Sequence, residues 1–141
     1  MKPDIQIAET DQQIDACYPV MRELRDHLKM ETFVTRIRYQ QSSGYILASL
    51  EDDGVVAAVS GFRISENLAW GRFLYIDDLV TAERYRSHGY GSKLLAWLKE
   101  YAEEQHCDQL HLDSGLQRVD AHRFYLREGL PKTSFHFSTA I

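Results

Sequence analysis

Residues 79–95 read LVTAERYRSHGYGSKLL: an apolar strand end, a short polar link, a glycine loop and then an amphipathic helix. At the centre is Arg86-Ser87-His88-Gly89-Tyr90-Gly91, an R-x-x-G-x-G loop followed by Ser92 that opens directly into the helix. The first turn of a helix carries backbone N–H groups without intrahelical partners, and the macrodipole favours negative charge there. Glycine lets the backbone approach a ligand closely and adopt positive φ. Arg86 adds a permanent cation suited to bidentate phosphate contact. The stretch therefore predicts a strand–loop–helix unit that holds a phosphate-bearing cofactor.

Two other phosphate loops are excluded by position. In a Walker A loop Gly precedes the Lys, whereas Lys93 follows Ser92. A dinucleotide fingerprint starting at Gly89 needs Gly or Ala at 94, where Leu94 stands.

Working outward, 141 residues with 44% apolar and 26% charged content suit one soluble domain, 1–141. A net charge of −5 argues against nucleic-acid binding, which needs a basic face, and suits a cationic substrate. Cys17 and Cys107 lack metal-ligand spacing and read as thiols of a reducing compartment. No apolar leader or membrane-length run is present, so the expectation is a cytoplasmic protein without membrane contact. His27, His88, His106, His111, His122 and His136 form no H-x-x-x-H grouping, and no metal site is expected.

Ile5 and Ile7 alternate as in a first strand, and Thr10 or Asp11 can cap a helix carrying Ile14, Cys17, Met21, Leu24 and Leu28. Pro19 either kinks that helix or marks its true start. A second helix is expected over about 31–41. Tyr45–Leu50 and Val55–Phe62 read as a hairpin around Asp52-Asp53-Gly54. A turn at Ser65–Asn67 then leads to a strand near Trp70–Val80. After the glycine loop come a helix ending near His106, a strand Gln109–Asp113, a helix Val119–Glu128 closed by Gly129, and a last strand Ser134–Ile141. The order β-α-α-β-β-β-α-β-α-β implies a mixed, largely antiparallel sheet flanked by helices, in the α/β (α+β) class.

The loop, together with Ala121-His122-Arg123-Phe124-Tyr125-Leu126-Arg127-Glu128-Gly129, resembles the GNAT superfamily of N-acetyltransferases. That family has an R/Q-x-x-G-x-G/A loop after a strand and an A-x-x-F-Y-x-x-x-G helix. From residue 120 onward the chain is most similar to the aminoalkylphosphonate N-acetyltransferase branch. The resemblance implies the acyl-CoA N-acyltransferase fold, acetyl-CoA as cosubstrate and a small-molecule amine as acceptor. A protein or peptide acetyltransferase and a non-catalytic acyl-CoA-binding domain are the alternatives. Arg118 stands where the family often has Asn, and only twelve residues follow Gly129 where two strands are common. Either the sheet ends in an exposed edge or a partner subunit completes it, and the second case predicts a homodimer.

Acetyl transfer needs a neutral amine. Keeping a lysine-like amine of pKa roughly 10 deprotonated at neutral pH costs about 4 kcal/mol, so a proton acceptor is required. The leaving thiolate, with a thiol pKa of about 8.5, gains from a proton donor. The resemblance implies Tyr125 as that donor and a carboxylate of Asp77 or Asp78 as relay or cation anchor, Asp78 first. Adjacent strand residues face opposite ways, so the two aspartates share an environment only if a bulge intervenes. A carboxylate with the ordinary Asp pKa of about 3.9 is a weak base, so burial or a water chain has to assist it. The resemblance also implies that Leu79, Val80 and Thr81 pair through their backbone with the pantetheine arm, and that Arg86 to Ser92 hold the pyrophosphate. Arg118 and Arg123 flank the proposed site in sequence and suit an anionic substrate such as a phosphonate.

Overall fold

The computed structural model describes residues 4–141. They form two compact units, one running through His111 and the other Leu112–Ile141. The first unit holds β1 (Asp4–Ile7), α1 (Asp11–Ala16), α2 (Tyr18–Leu24), α3 (Met30–Gln41), β2 (Ile46–Asp52), β3 (Val55–Asn67), β4 (Gly71–Thr81) and α4 (Tyr90–Glu104). β5 (Gln109–Leu112) ends it but for Leu112, which opens the second unit, and that unit carries α5 (Val119–Arg127). The strands form one sheet in the order β1-β2-β3-β4-β5, with the first three pairings antiparallel.

Local chemistry explains the early helices. Thr10 Oγ1 accepts from Gln13 N–H at 3.1 Å while Gln13 Oε1 accepts from Thr10 N–H at 3.0 Å, a capping box that starts α1. Pro19 occupies the first turn of α2, where a missing N–H costs nothing, so it marks a helix start. The expected single helix is thus two, hinged at Cys17, and Leu28 falls in the link to α3. In the hairpin turn Asp53 and Gly54 both have positive φ, 53° and 79°, as a two-residue primed turn requires.

Val59 and Phe62 are an odd number of residues apart on β3 and so face opposite sides of the sheet. Val59 joins the core under α1–α3 with Ile14, Met21, Phe33, Ile37 and Leu47. Phe62 meets Trp97 and Tyr101 of α4 edge-on, at 6.2 and 5.4 Å, beside the buried Leu94, Leu95 and Leu98. The sheet is therefore covered by helices on both faces. No helix among the described residues is long and apolar enough to cross a membrane.

Two expectations are corrected. Ser65–Asn67 continues β3, and the turn lies at 68–70, where Asn67 Oδ1 accepts from Trp70 N–H at 2.7 Å. The strand expected over Ser134–Ile141 is absent: residues 130–141 form no helix or strand, and Phe135, Phe137 and Ile141 are exposed. Their alternation supplies a strand-like face, but a strand exists only where a neighbouring backbone completes its ladder. In the second unit, α5 closes at Gly129, φ 88°, with Leu130 N–H bonded to Tyr125 C=O at 2.9 Å.

Candidate active site

β4 is the element that builds the site. Its register against β3 runs Gly61 to Asp78 and then Phe62 to Ile76, so Asp77 is an extra residue: a β-bulge. Without it Asp77 and Asp78 would project to opposite faces. With it both line one cavity of about 290 Å³ beneath α2 and α3.

Asp78 is the more enclosed, its side chain 13% exposed against 27% for Asp77. Its Oδ1 accepts from Arg25 Nε at 2.9 Å and its Oδ2 from the Tyr45 hydroxyl at 2.7 Å. Arg25 also donates to the Asp77 carbonyl at 2.9 Å, clasping the bulge from the α2–α3 link. Asp77 Oδ2 accepts from Arg63 Nε at 2.8 Å, and Arg63 is itself braced by Gln40 Oε1 and by the Ser43 carbonyl at 3.2 Å. Asp77 Oδ1 makes no hydrogen bond among the described residues, which leaves it free to accept one.

Tyr45 is held protonated. Burial first, and then the carboxylates of Asp78 and Asp77, push its pKa well above the ordinary tyrosine value, so its hydroxyl keeps the proton that it donates to Asp78. Gly61 makes room for it: a Cβ at Gly61 would lie 1.6 Å from the Tyr45 hydroxyl oxygen. Arg25, Arg36, Gln40, Tyr45, Gly61 and Arg63 escaped the reading of the sequence. They come from four elements or links, and no local spacing unites them.

Beyond the bulge, Leu79, Val80 and Thr81 pair with Ser60, Val59 and Ala58 of β3. β5 begins beside Arg72, whose carbonyl accepts from Asp108 N–H at 2.6 Å. Four strand residues span about 13 Å, whereas Leu79 lies about 23 Å along β4 from Arg72. β5 therefore does not reach the outer edge of Leu79–Thr81.

The glycine loop follows a 3-10 turn, Glu83–Tyr85. Ser87 and Gly89 have positive φ, 69° and 78°, and Gly89 is the N-cap of α4. No side chain caps that end, and no acidic residue stands in the first turn. The leading N–H groups of α4 are left as donors, and nothing lies within 4 Å of where a Gly89 Cβ would sit. These are the properties of an anion cradle, and they fit a pyrophosphate. Arg86 and Ser92 flank the cradle, Tyr90 is buried and donates to Asp52, and exposed His88 is tied to the carbonyls of Tyr85 and Arg86 at 2.9 and 3.0 Å.

In the second unit Tyr125 is buried, and burial pushes its pKa up, partly opposed by the Arg118 guanidinium beside it. Arg123 is exposed and paired with Asp120 at 3.0 Å. Among the described residues no three His, Cys, Asp or Glu side chains gather as metal ligands would.

The model of the acetyltransferase (GNAT) family matches residues 8–130. An uncharacterized N-acetyltransferase of Bacillus subtilis, YhdJ, is 39% identical over 109 residues, 77% of each chain. The aminoalkylphosphonate N-acetyltransferase of Salmonella typhimurium is 41% identical over 66 residues, 47% of this chain and 43% of the relative. A solved aminoglycoside N-acetyltransferase in complex with CoA shares the fold, with a TM-score of 0.87 at 11% identity over 99% of this chain and 95% of that one.

Proposed function

Because this chain belongs to the GNAT acetyltransferase family, we propose that it transfers the acetyl group of acetyl-CoA to a primary amine of a small molecule. The observation that carries this reading is the bulge of β4. It joins a paired-carboxylate cavity to a strand edge and glycine loop suited to CoA. The 8–130 match runs through both units, which supports reading 1–141 as one acetyltransferase domain.

Acetyl-CoA supplies the acyl group as an activated thioester. The chain's part is to bind, orient and move protons. Leu79, Val80 and Thr81 offer backbone groups to the pantetheine arm, and Arg86, Ser87, His88, Gly89, Tyr90, Gly91 and Ser92 surround the pyrophosphate. The Asp78 carboxylate, held by Arg25 and Tyr45, favours the acceptor ammonium by its charge, and Asp77 Oδ1 binds that ammonium and takes its proton directly or through water. The amine lone pair then attacks the acyl carbon and the C–S bond breaks. Tyr125, kept protonated by burial, gives its phenolic proton to the departing sulfur and is restored, through water, by the second proton that the new amide nitrogen sheds. The exposed Phe135, Phe137 and Ile141 support a homodimer in which a second copy covers them, and the free thiols support a cytoplasmic location.

The reading is tested by CoA release with mass detection over amino acids, polyamines, aminoglycosides, aminoalkylphosphonates and lysine peptides. One acetylated small amine is the expected product. Acetylated peptide alone would make this a protein acetyltransferase. Acetyl-CoA binding without any product would make it a non-catalytic acyl-CoA-binding domain.

A further inference from the structure

We infer that the acceptor is zwitterionic: its amine meets Asp77, and an acidic group on the same short molecule meets Arg36 at the other side of the cavity. This deepens the acetyl-transfer reading and rests on it for where the amine sits.

The charges in the cavity are already sorted by their partners. Asp78 accepts at both oxygens, from Arg25 and Tyr45, and Asp77 at one, from Arg63, so among the described residues Asp77 Oδ1 is the oxygen of the pair without a hydrogen bond and the readiest to receive an ammonium. On the facing helix, residues 33, 36, 37 and 40 fall on one side of α3 by their three- and four-residue spacing. Phe33 and Ile37 are buried and form an apolar wall, and Gln40 is spent on Arg63. Arg36 lines the cavity, is exposed, and has no hydrogen bond or ion pair among the described residues. It is thus an uncommitted, always-charged fork suited to carboxylate or phosphonate.

A ligand with only an amine would leave that guanidinium facing a like charge, and a polycation would meet both Arg25 and Arg36. A purely acidic ligand would meet the paired aspartates instead. An amine and an acid on one chain satisfy both ends. The volume agrees: about 290 Å³ has room for a short chain that carries both groups.

The test compares four acceptors of matched length: aminoethylphosphonate, β-alanine, aminopropanol and diaminopropane. The expected result is that one or both acidic amines exceed the alcohol and the diamine in kcat/KM by about tenfold or more, the usual weight of a charged hydrogen bond. Which acid leads identifies the anionic group. Arg36→Gln should lower the acid-to-alcohol ratio about tenfold, through KM, and Arg36→Lys should restore part of it. Equal or better turnover of the alcohol or diamine overturns the inference while leaving acetyl transfer intact. An unchanged ratio in Arg36→Gln overturns it as well. If no acceptor is acetylated, calorimetry of the acidic amines on the protein alone decides. Binding weakened by Arg36→Gln upholds the charge-pair cavity and sinks the enzymatic reading, and absence of binding sinks both.

Discussion

At Gly61 one missing methyl group decides whether the site can exist. The absent Cβ leaves the space in which the Tyr45 hydroxyl reaches Asp78, and Tyr45 is buried, so its ring has nowhere to swing. Gly61→Ala is expected to cost about 3 kcal/mol, the upper end for overpacking, and to remove acetyl transfer. Gly54→Ala is the control. Gly54, unlike Gly61, has positive φ, but it has open space around it, so only the left-handed backbone is strained, for about 1–2 kcal/mol. Urea midpoints of the two variants make the comparison, and equal losses would refute the steric account. Tyr125 carries a second prediction. Its pKa lies above the ordinary tyrosine value, so it is a proton donor throughout the neutral and mildly alkaline range. Tyr125→Phe is expected to lower kcat about 100-fold, with the same factor at about pH 7 and pH 9. A loss that vanishes at the higher pH would remove it as the acid. Tyr125 was legible in the sequence because its motif neighbours are local. Tyr45 was not, because its partner lies 33 residues away.

At the scale of elements, the bulge of β4 and the start of α4 divide the work. Asp77 and Asp78 are adjacent in sequence but differ in their bonds, so their amides should fail differently. Asp77→Asn is expected to keep the fold and lower kcat about 100-fold, with activity recovering as rising pH deprotonates the amine. Asp78→Asn disturbs the grip of Arg25 and Tyr45 and is expected to lower the thermal midpoint as well, by the equivalent of about 1–3 kcal/mol. Calorimetry beside steady-state kinetics separates the two, and the reverse pattern would return the proton to Asp78. At the start of α4, Gly89→Val forces a β-branched residue into the left-handed region and fills the cradle. The expected result is a loss of about tenfold or more in acetyl-CoA affinity by titration calorimetry for about 1–2 kcal/mol of stability. Undiminished affinity would displace the phosphate site from this loop.

At the scale of the whole molecule, buried acidic groups make stability depend on alkaline pH. Burial lifts the Cys17 thiol from 9.0 to about 12 and lifts Tyr45 well above 10.0. Below about pH 9 these groups are protonated whether the chain is folded or not, and their contribution is complete. As pH rises further the unfolded chain loses protons that the folded chain keeps, so stability falls between about pH 9 and 12. Urea midpoints should decline over that window, and Cys17→Ala should flatten part of the slope. An unchanged slope would mean that the thiol is not held neutral by the core. The amino-acid sequence by itself determined the features that rest on near neighbours: the capped first helix, the Asp53-Gly54 hairpin, the glycine loop opening α4, and the Tyr125 helix. Their causes lie in backbone sterics, capping and periodicity within a few residues. Only the tertiary structure decided that Asp77 and Asp78 share one cavity, that Arg25 and Tyr45 hold the second of them, and that Ser134–Ile141 forms no strand. Register, bulges and strand pairing are set by a partner segment far along the chain, and alternation within one segment carries no information about whether that partner is present.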